Sequence, residues 1–267
     1  RTPDPEPRRP EEGVFPLPLT TRWTLCLSTQ VGCAVRCAFC ASGLEGLRRN
    51  LRACEIVEQF LHASSRLAER GNRLSNVVVM GMGEPLHNLP ALLESLAVLG
   101  ADWGPNFGAR RITISTSGVV RGIRRLAEEP EPWNLALSLH APNDEIRSRI
   151  VPHRGLGSVD EVIEAGRAYQ AAKNRRVSIE YVLLGGVNDR PEHARELAGR
   201  IRGTGFHVNL IPYNPVAGLA YASPPEEAVE RFADEVRGSG AVVTVRRRRG
   251  DEISAACGQL RLLRAGP

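Results

Sequence analysis

Three cysteines fall in the run Cys33-Ala34-Val35-Arg36-Cys37-Ala38-Phe39-Cys40, and this CxxxCxxC spacing constrains the chain more than any other feature. An iron-sulfur cluster ordinarily takes a thiolate on each of its irons. The loop supplies three, and the remaining cysteines, Cys26, Cys54 and Cys257, lie outside it. One [4Fe-4S] cluster with three cysteine ligands keeps one iron open. The amino and carboxylate groups of S-adenosylmethionine suit such an open iron, and reductive cleavage there yields a 5′-deoxyadenosyl radical. A structural zinc site drawing on Cys26 or His62 fits less well, because zinc knuckles come as paired CxxC or CxH spacings and no second knuckle is present. Disulfides fit least. Six cysteines in 267 residues are far from the density of a small secreted scaffold, and no export signal is seen, so cytoplasmic, reduced thiols are expected.

The alternation of short β-rich runs with helical patterns sets the fold class. Strands are expected at 24–28, 76–80, 111–115, 134–139, 177–183 and 207–211, and helices at 53–70, 89–99, 158–172, 191–201 and 224–236. Strand and helix in series imply parallel strands with right-handed crossovers, an α/β partial (β/α)6 TIM-like barrel. A further strand at 241–245 follows as an extra C-terminal element. Prolines at 3, 5, 7, 10, 16 and 18 make residues 1–20 an N-terminal arm ahead of a catalytic barrel at 21–267. No apolar run is long enough to span a bilayer, so no membrane is expected. The net charge of +5, with basic runs at Arg110-Arg111, Arg175-Arg176 and Arg246 to Arg249, leans weakly towards a polyanionic partner.

In such barrels the chemistry gathers at the C-terminal ends of the strands. The cysteine loop, the turn Gly81-Met82-Gly83-Glu84-Pro85, the turn Ser115-Thr116-Ser117-Gly118, Ser138-Leu139-His140 and Asn214 all follow directly after expected strands. Gly81 and Gly83 permit a tight turn and close approach of backbone. Glu84 can accept from a methionine ammonium, and Ser115, Ser138 and Asn214 can bond ribose or carboxylate. Phe39 suits an apolar wall. Alternation along the first strand puts Leu25 and Leu27 towards the helices and Cys26 towards the barrel interior, where a thiol can react or pack. Cys257 lies in a run of short side chains ending in Gly258, with the same two readings open. Cys54 is assigned to packing.

These motifs, with Thr24-Leu25-Cys26, Arg49-Asn50-Leu51, Ala141-Pro142-Asn143, Val187-Asn188-Asp189, Ile211-Pro212-Tyr213-Asn214 and Ala255-Ala256-Cys257-Gly258-Gln259-Leu260, make the chain resemble the RlmN/Cfr family of radical-SAM RNA methyltransferases from about Glu12 onward. Gly83-Glu84-Pro85 and His140-Ala141-Pro142-Asn143-Asp144 resemble the RlmN branch, and Glu252 to Ala256 the Cfr branch. The resemblance implies methylation of adenine at C2, or at C8 in the Cfr branch, in 23S rRNA and in tRNA. It implies Cys257 as a methyl-cysteine intermediate, Cys26 as the resolving thiol of a transient disulfide, and Glu12 as the base.

By the same resemblance Gly83, Glu84, Ser115, Ser138, Leu139, His140 and Asn214 bind the cofactor, Cys33, Cys37 and Cys40 bind the metal, and two S-adenosylmethionine molecules are consumed per turnover. A low-potential electron donor such as flavodoxin and a monomeric state are also expected. The resemblance implies a small helical N-terminal RNA-binding domain ahead of the barrel, and in its place this sequence offers only the proline-rich arm, as expected of a trimmed chain or of a short paralogue. A short paralogue acting on another substrate, and a non-enzymatic RNA-binding or iron-sulfur sensing protein, are the competing readings.

Overall fold

The computed structural model describes residues 22–216 and 218–246. Along the chain run β1 (Trp23–Cys26), β2 (Gln30–Gly32), β3 (Leu47–Asn50), α1 (Ala53–Ala68), β4 (Leu74–Val79), α2 (Leu89–Gly100), β5 (Ile112–Thr116) and α3 (Val120–Glu128). Then follow β6 (Asn134–Ser138), α4 (Asp144–Ile150), α5 (Val159–Lys173), β7 (Ser178–Leu183), α6 (Pro191–Ile201), β8 (His207–Pro212), α7 (Glu226–Arg237) and β9 (Val242–Val245). Seven strands pair in parallel in the order β1-β4-β5-β6-β7-β8-β9, which is also their order in the chain. Each connection therefore crosses to the next strand. All strand C-termini meet at one rim of a curled half-barrel, the architecture that the alternating pattern implies.

Period-2 alternation divides the sheet into two chemically different faces. Val77, Val79, Ile114, Leu137, Ile179 and Leu210 are buried against the helices in the main apolar core. The opposite, inner face carries Thr113, Ser115, Ser138, Glu180, Asn209 and Thr244. There Ser115 Oγ lies 2.8 Å from Ser138 Oγ, and Asn209 Nδ2 donates to Glu180 Oε1 at 2.8 Å. The half-barrel is thus lined by hydrogen-bonding groups rather than filled with hydrocarbon. No described helix is long and apolar enough to cross a membrane.

Four elements were not anticipated. The antiparallel pair β2–β3 clamps the cysteine loop at its base, with Cys33 N donating to Gly46 O at 3.0 Å. Helix α3 and the seven-residue α4 fill connections between strands. Asn143 starts α4 by accepting from Ile146 N at 3.0 Å, with Asp144 and Glu145 in its first turn. The packing expected of Cys54 is overturned, since Cys54 is exposed. Ala53, Ile56 and Phe60 form the inward stripe of α1, and helical spacing turns the residue after Ala53 away from it.

A second apolar cluster, including Val35, Phe39, Ile146, Ile150, Leu184 and Tyr213, packs under the cysteine loop. Beside it, fully buried Asn188 stitches two neighbouring rim segments. Its Nδ2 donates to His140 O and Val182 O at 2.7 Å each, and its Oδ1 accepts from Leu184 N at 2.7 Å. Asn188→Ala strips partners from one buried and one half-buried carbonyl and from one buried N–H, a buried group costing about 1–3 kcal/mol when left unmade. Urea unfolding is expected to show a loss of at least about 2 kcal/mol with an unchanged m-value.

Candidate active site

The rim is built from turns whose backbone groups are held by buried side chains. After β4, Gly83 takes φ +112°, and a Cβ there would press into the side chain of Gln30. Glu84 follows at 2% exposure. Its Oε1 accepts from Leu86 N at 3.1 Å and its Oε2 from Ser117 N at 2.7 Å, while its own N–H donates to Gln30 Oε1 at 2.9 Å. One carboxylate thus joins the turns that follow β4 and β5. Burial pushes its pKa up, and the N–H groups of Ser117 and Leu86 oppose that shift. Thr116 Oγ1 accepts from Gly118 N and Val119 N and so closes the Ser115–Gly118 turn.

On the far side of the rim, His140 takes φ +59° and is buried. Its Nδ1 accepts from Val182 N at 3.2 Å, and Phe39 meets the ring edge-on at 5.0 Å between centroids. Burial, helped by the charge of Arg147, pulls its pKa down to about 3, so the imidazole is neutral at physiological pH. Asn214 Oδ1 is a buried acceptor without a partner among the described residues. Such an atom calls for a donor from a bound molecule.

The loop thiols Cys33, Cys37 and Cys40 are free and pack beside Val35 and Phe39. Burial pushes the Cys37 pKa well above the thiol range, and the neighbouring Cys40 and Cys33 push it further; burial raises Cys33 as well. Among the described residues no three ligating side chains converge as one metal ion requires. Cys26 is exposed at the end of β1, with Leu25 and Leu27 turned to the core as alternation requires. No disulfide joins the described cysteines. Cys257 and Glu12 lie outside the described residues.

Residues 27–198 match the radical SAM superfamily. A probable dual-specificity RNA methyltransferase RlmN from Rhodopirellula baltica is 51% identical over 240 residues, covering 90% of this chain and 64% of the relative. The ribosomal RNA large subunit methyltransferase N of Nitrosopumilus maritimus is 50% identical over 240 residues, covering 90% of this chain and 68% of the relative. The chain belongs to the RlmN family of radical SAM RNA methyltransferases. A radical SAM methyltransferase from Sphaerobacter thermophilus superposes with TM-score 0.86 at 51% identity, over 89% of this chain and 70% of that one. This RlmN-family chain spans about two thirds of the length of the curated relatives it matches.

Membership implies a [4Fe-4S] cluster and S-adenosylmethionine, and the donor set fits both. Buried thiols that resist ionisation by themselves gain a counter-charge from iron, and the orphaned Asn214 Oδ1 is open to a polar cofactor group. Several residues that shape the site were not singled out from the sequence. They are Gln30 behind Glu84, Asn88, whose Nδ2 reaches Thr29 O and Leu51 O at 2.8 Å each, and Arg147 and Glu180, both buried. All four are ordinary polar residues outside any spacing pattern. Asn188 appeared only as part of a motif.

Two outcomes follow from this geometry. Gly32, at φ +80°, has no room for a Cβ against the Gly46 carbonyl, so Gly32→Ala is expected to open the β2–β3 clamp and lower iron content by at least about half. Iron and sulfide analysis after anaerobic reconstitution measures this. A neutral buried His140 contributes stability that is fully present above its ordinary pKa of 6.5 and is lost as pH falls towards about 3. Between pH 7 and pH 5 the wild type is expected to lose about 2 kcal/mol more than His140→Asn, a variant that tolerates positive φ. Paired urea titrations at the two pH values read the difference.

Proposed function

We propose that this chain is the catalytic barrel of an RNA methyltransferase that places a methyl group on C2 of adenine in 23S rRNA and in tRNA. What supports the reading is the gathering of three loop thiols, a glycine-glutamate turn and a set of hydroxyl and amide groups at one rim, in a chain about half identical to proteins named RlmN. On this reading residues 21–267 form one catalytic unit. Cys33, Cys37 and Cys40 hold the cluster. Gly83, Glu84, Ser115, Ser138, Leu139, His140 and Asn214 surround S-adenosylmethionine.

When bound, cluster and cofactor supply an electron, a methyl group and a carbon radical, which an electron-poor ring carbon requires because it is no nucleophile. The chain's own residues position and release the product. Neutral His140 presents a ring nitrogen without adding a cation. Cys257 carries the methyl group as a thioether beside the adenine, one S-adenosylmethionine serving as methyl donor and a second as radical source. Once that methyl has lost a hydrogen atom and its carbon has joined ring carbon C2, the adduct gives up one electron and Glu12 takes the ring proton. The Cys26 thiolate then attacks the Cys257 sulfur, the sulfur–carbon bond breaks as the disulfide forms, and the released carbon takes up a proton to become the methyl group. The target base must be turned out of its RNA to reach the rim. A flavodoxin-type donor delivers the electron to a monomer in the cytoplasm.

Mass spectrometry of nucleosides tests this, after anaerobic reconstitution and incubation with S-adenosylmethionine, reductant and unmethylated 23S rRNA or tRNA. The expected product is 2-methyladenosine, abolished in Cys257→Ala. Formation of 8-methyladenosine would move the chemistry to C8. Release of 5′-deoxyadenosine with neither product would overturn the RNA assignment for this chain.

A further inference from the structure

Arg147 is a cation buried without a carboxylate partner. It stands on α4 at 5% exposure. Its Nη1 donates to Gly157 O at 2.7 Å and its Nη2 to Ser117 O, both neutral carbonyls. Its Nε is buried and has no partner among the described residues. A guanidinium stays charged in proteins, so it cannot escape the cost of burial by losing its proton. Two carbonyl dipoles solvate that charge only in part, which leaves it able to act on an anion nearby.

The position of α4 points to that anion. Ala38 N donates to Ile150 O at 2.9 Å, pinning the end of this helix to the cysteine loop. Ile146 and Ile150 lie in the same apolar cluster as Phe39, and Cys37 and Cys40 pack against it. Arg147 lies within electrostatic reach of Asp144, Glu84 and Cys37, the last a neutral thiol until iron takes its proton's place. Asp144 Oδ1 is engaged by Val159 N at 2.8 Å, and Glu84 by two backbone N–H groups. Low-dielectric packing between α4 and the loop leaves the field of Arg147 poorly screened at the thiols.

We propose that Arg147 is the fixed counter-charge of the cluster, a positioning residue that stabilises its reduced state over its oxidised state and so raises its reduction potential. A cluster held by three thiolates is already anionic and becomes more so on gaining an electron. A nearby fixed cation therefore favours the reduced form, and Glu84 disfavours it. Arg147 and Glu84 share the Ser117 peptide, Glu84 accepting from its N–H and Arg147 donating to its carbonyl oxygen. This inference rests on the assignment of Cys33, Cys37 and Cys40 as cluster ligands.

The test is an EPR-monitored redox titration of the reconstituted chain without S-adenosylmethionine, comparing wild type with Arg147→Met, Arg147→Gln and Arg147→Lys. At fixed potential the ratio of reduced to oxidised cluster is expected to fall about tenfold in the two neutral variants, equivalent to about 59 mV for one electron. Arg147→Lys keeps the charge and is expected to stay within about threefold of wild type, even where thermal stability drops. A neutral variant with full iron content and an unmoved potential overturns the counter-charge alone. Should neither neutral variant hold a cluster, Glu84→Gln serves instead. It is expected to shift the ratio towards the reduced form, and an unmoved potential there overturns the proposal too. A wild-type chain that binds no iron overturns the ligand assignment, and the counter-charge with it.

Discussion

The buried carboxylate of Glu84 is the contact on which the rim depends. Parallel strands bring their C-terminal turns to one end of the sheet, but that alone leaves each turn free to take its own path. Glu84 removes this freedom by accepting from the Leu86 and Ser117 N–H groups, and Gln30 extends the tie to the segment after β1 by accepting from Glu84 N. Three consecutive strands of the sheet are registered at their ends by two side chains. Hydrogen bonds to a charged acceptor are stronger than neutral ones, and burial makes their loss costly.

The other half of the rim is organised by Asn188, and the two halves differ in chemistry. Around Glu84 the groups that meet are charged or strongly polar, whereas His140 sits neutral against Phe39 and the apolar cluster under the cysteine loop.

Most of the sheet was legible because its strands are β-branched runs separated by long amphipathic helices, and the rim followed from strand direction alone. What escaped notice did so for physical reasons. Helix α4 has seven residues, of which Asp144, Glu145, Arg147 and Arg149 are charged, so no apolar stripe announces it. The β2–β3 pair is three and four residues long and derives its role from enclosing the loop, a relation not visible in local pattern. Arg147 reads as a solvated helix residue, because its burial is decided by what α4 packs on. Cys54 departs from expectation because it lies one position past Ala53, off the buried stripe of Ala53, Ile56 and Phe60. By contrast, the expectation that Leu25 and Leu27 face the helices needed only a period of two, and it holds.

The sheet does not close on itself, since β1 and β9 pair with no further strand among the described residues. Each end of the half-barrel therefore offers a row of backbone donors and acceptors to any extended segment of matching register. Both edges carry an exposed apolar side chain, Trp23 on β1 and Val242 on β9. Arg22 precedes β1, and Arg246 opens a run of arginines directly after β9. A charged side chain beside an open edge weakens the pairing of that edge with another strand, and Arg246 at the end of β9 supplies one.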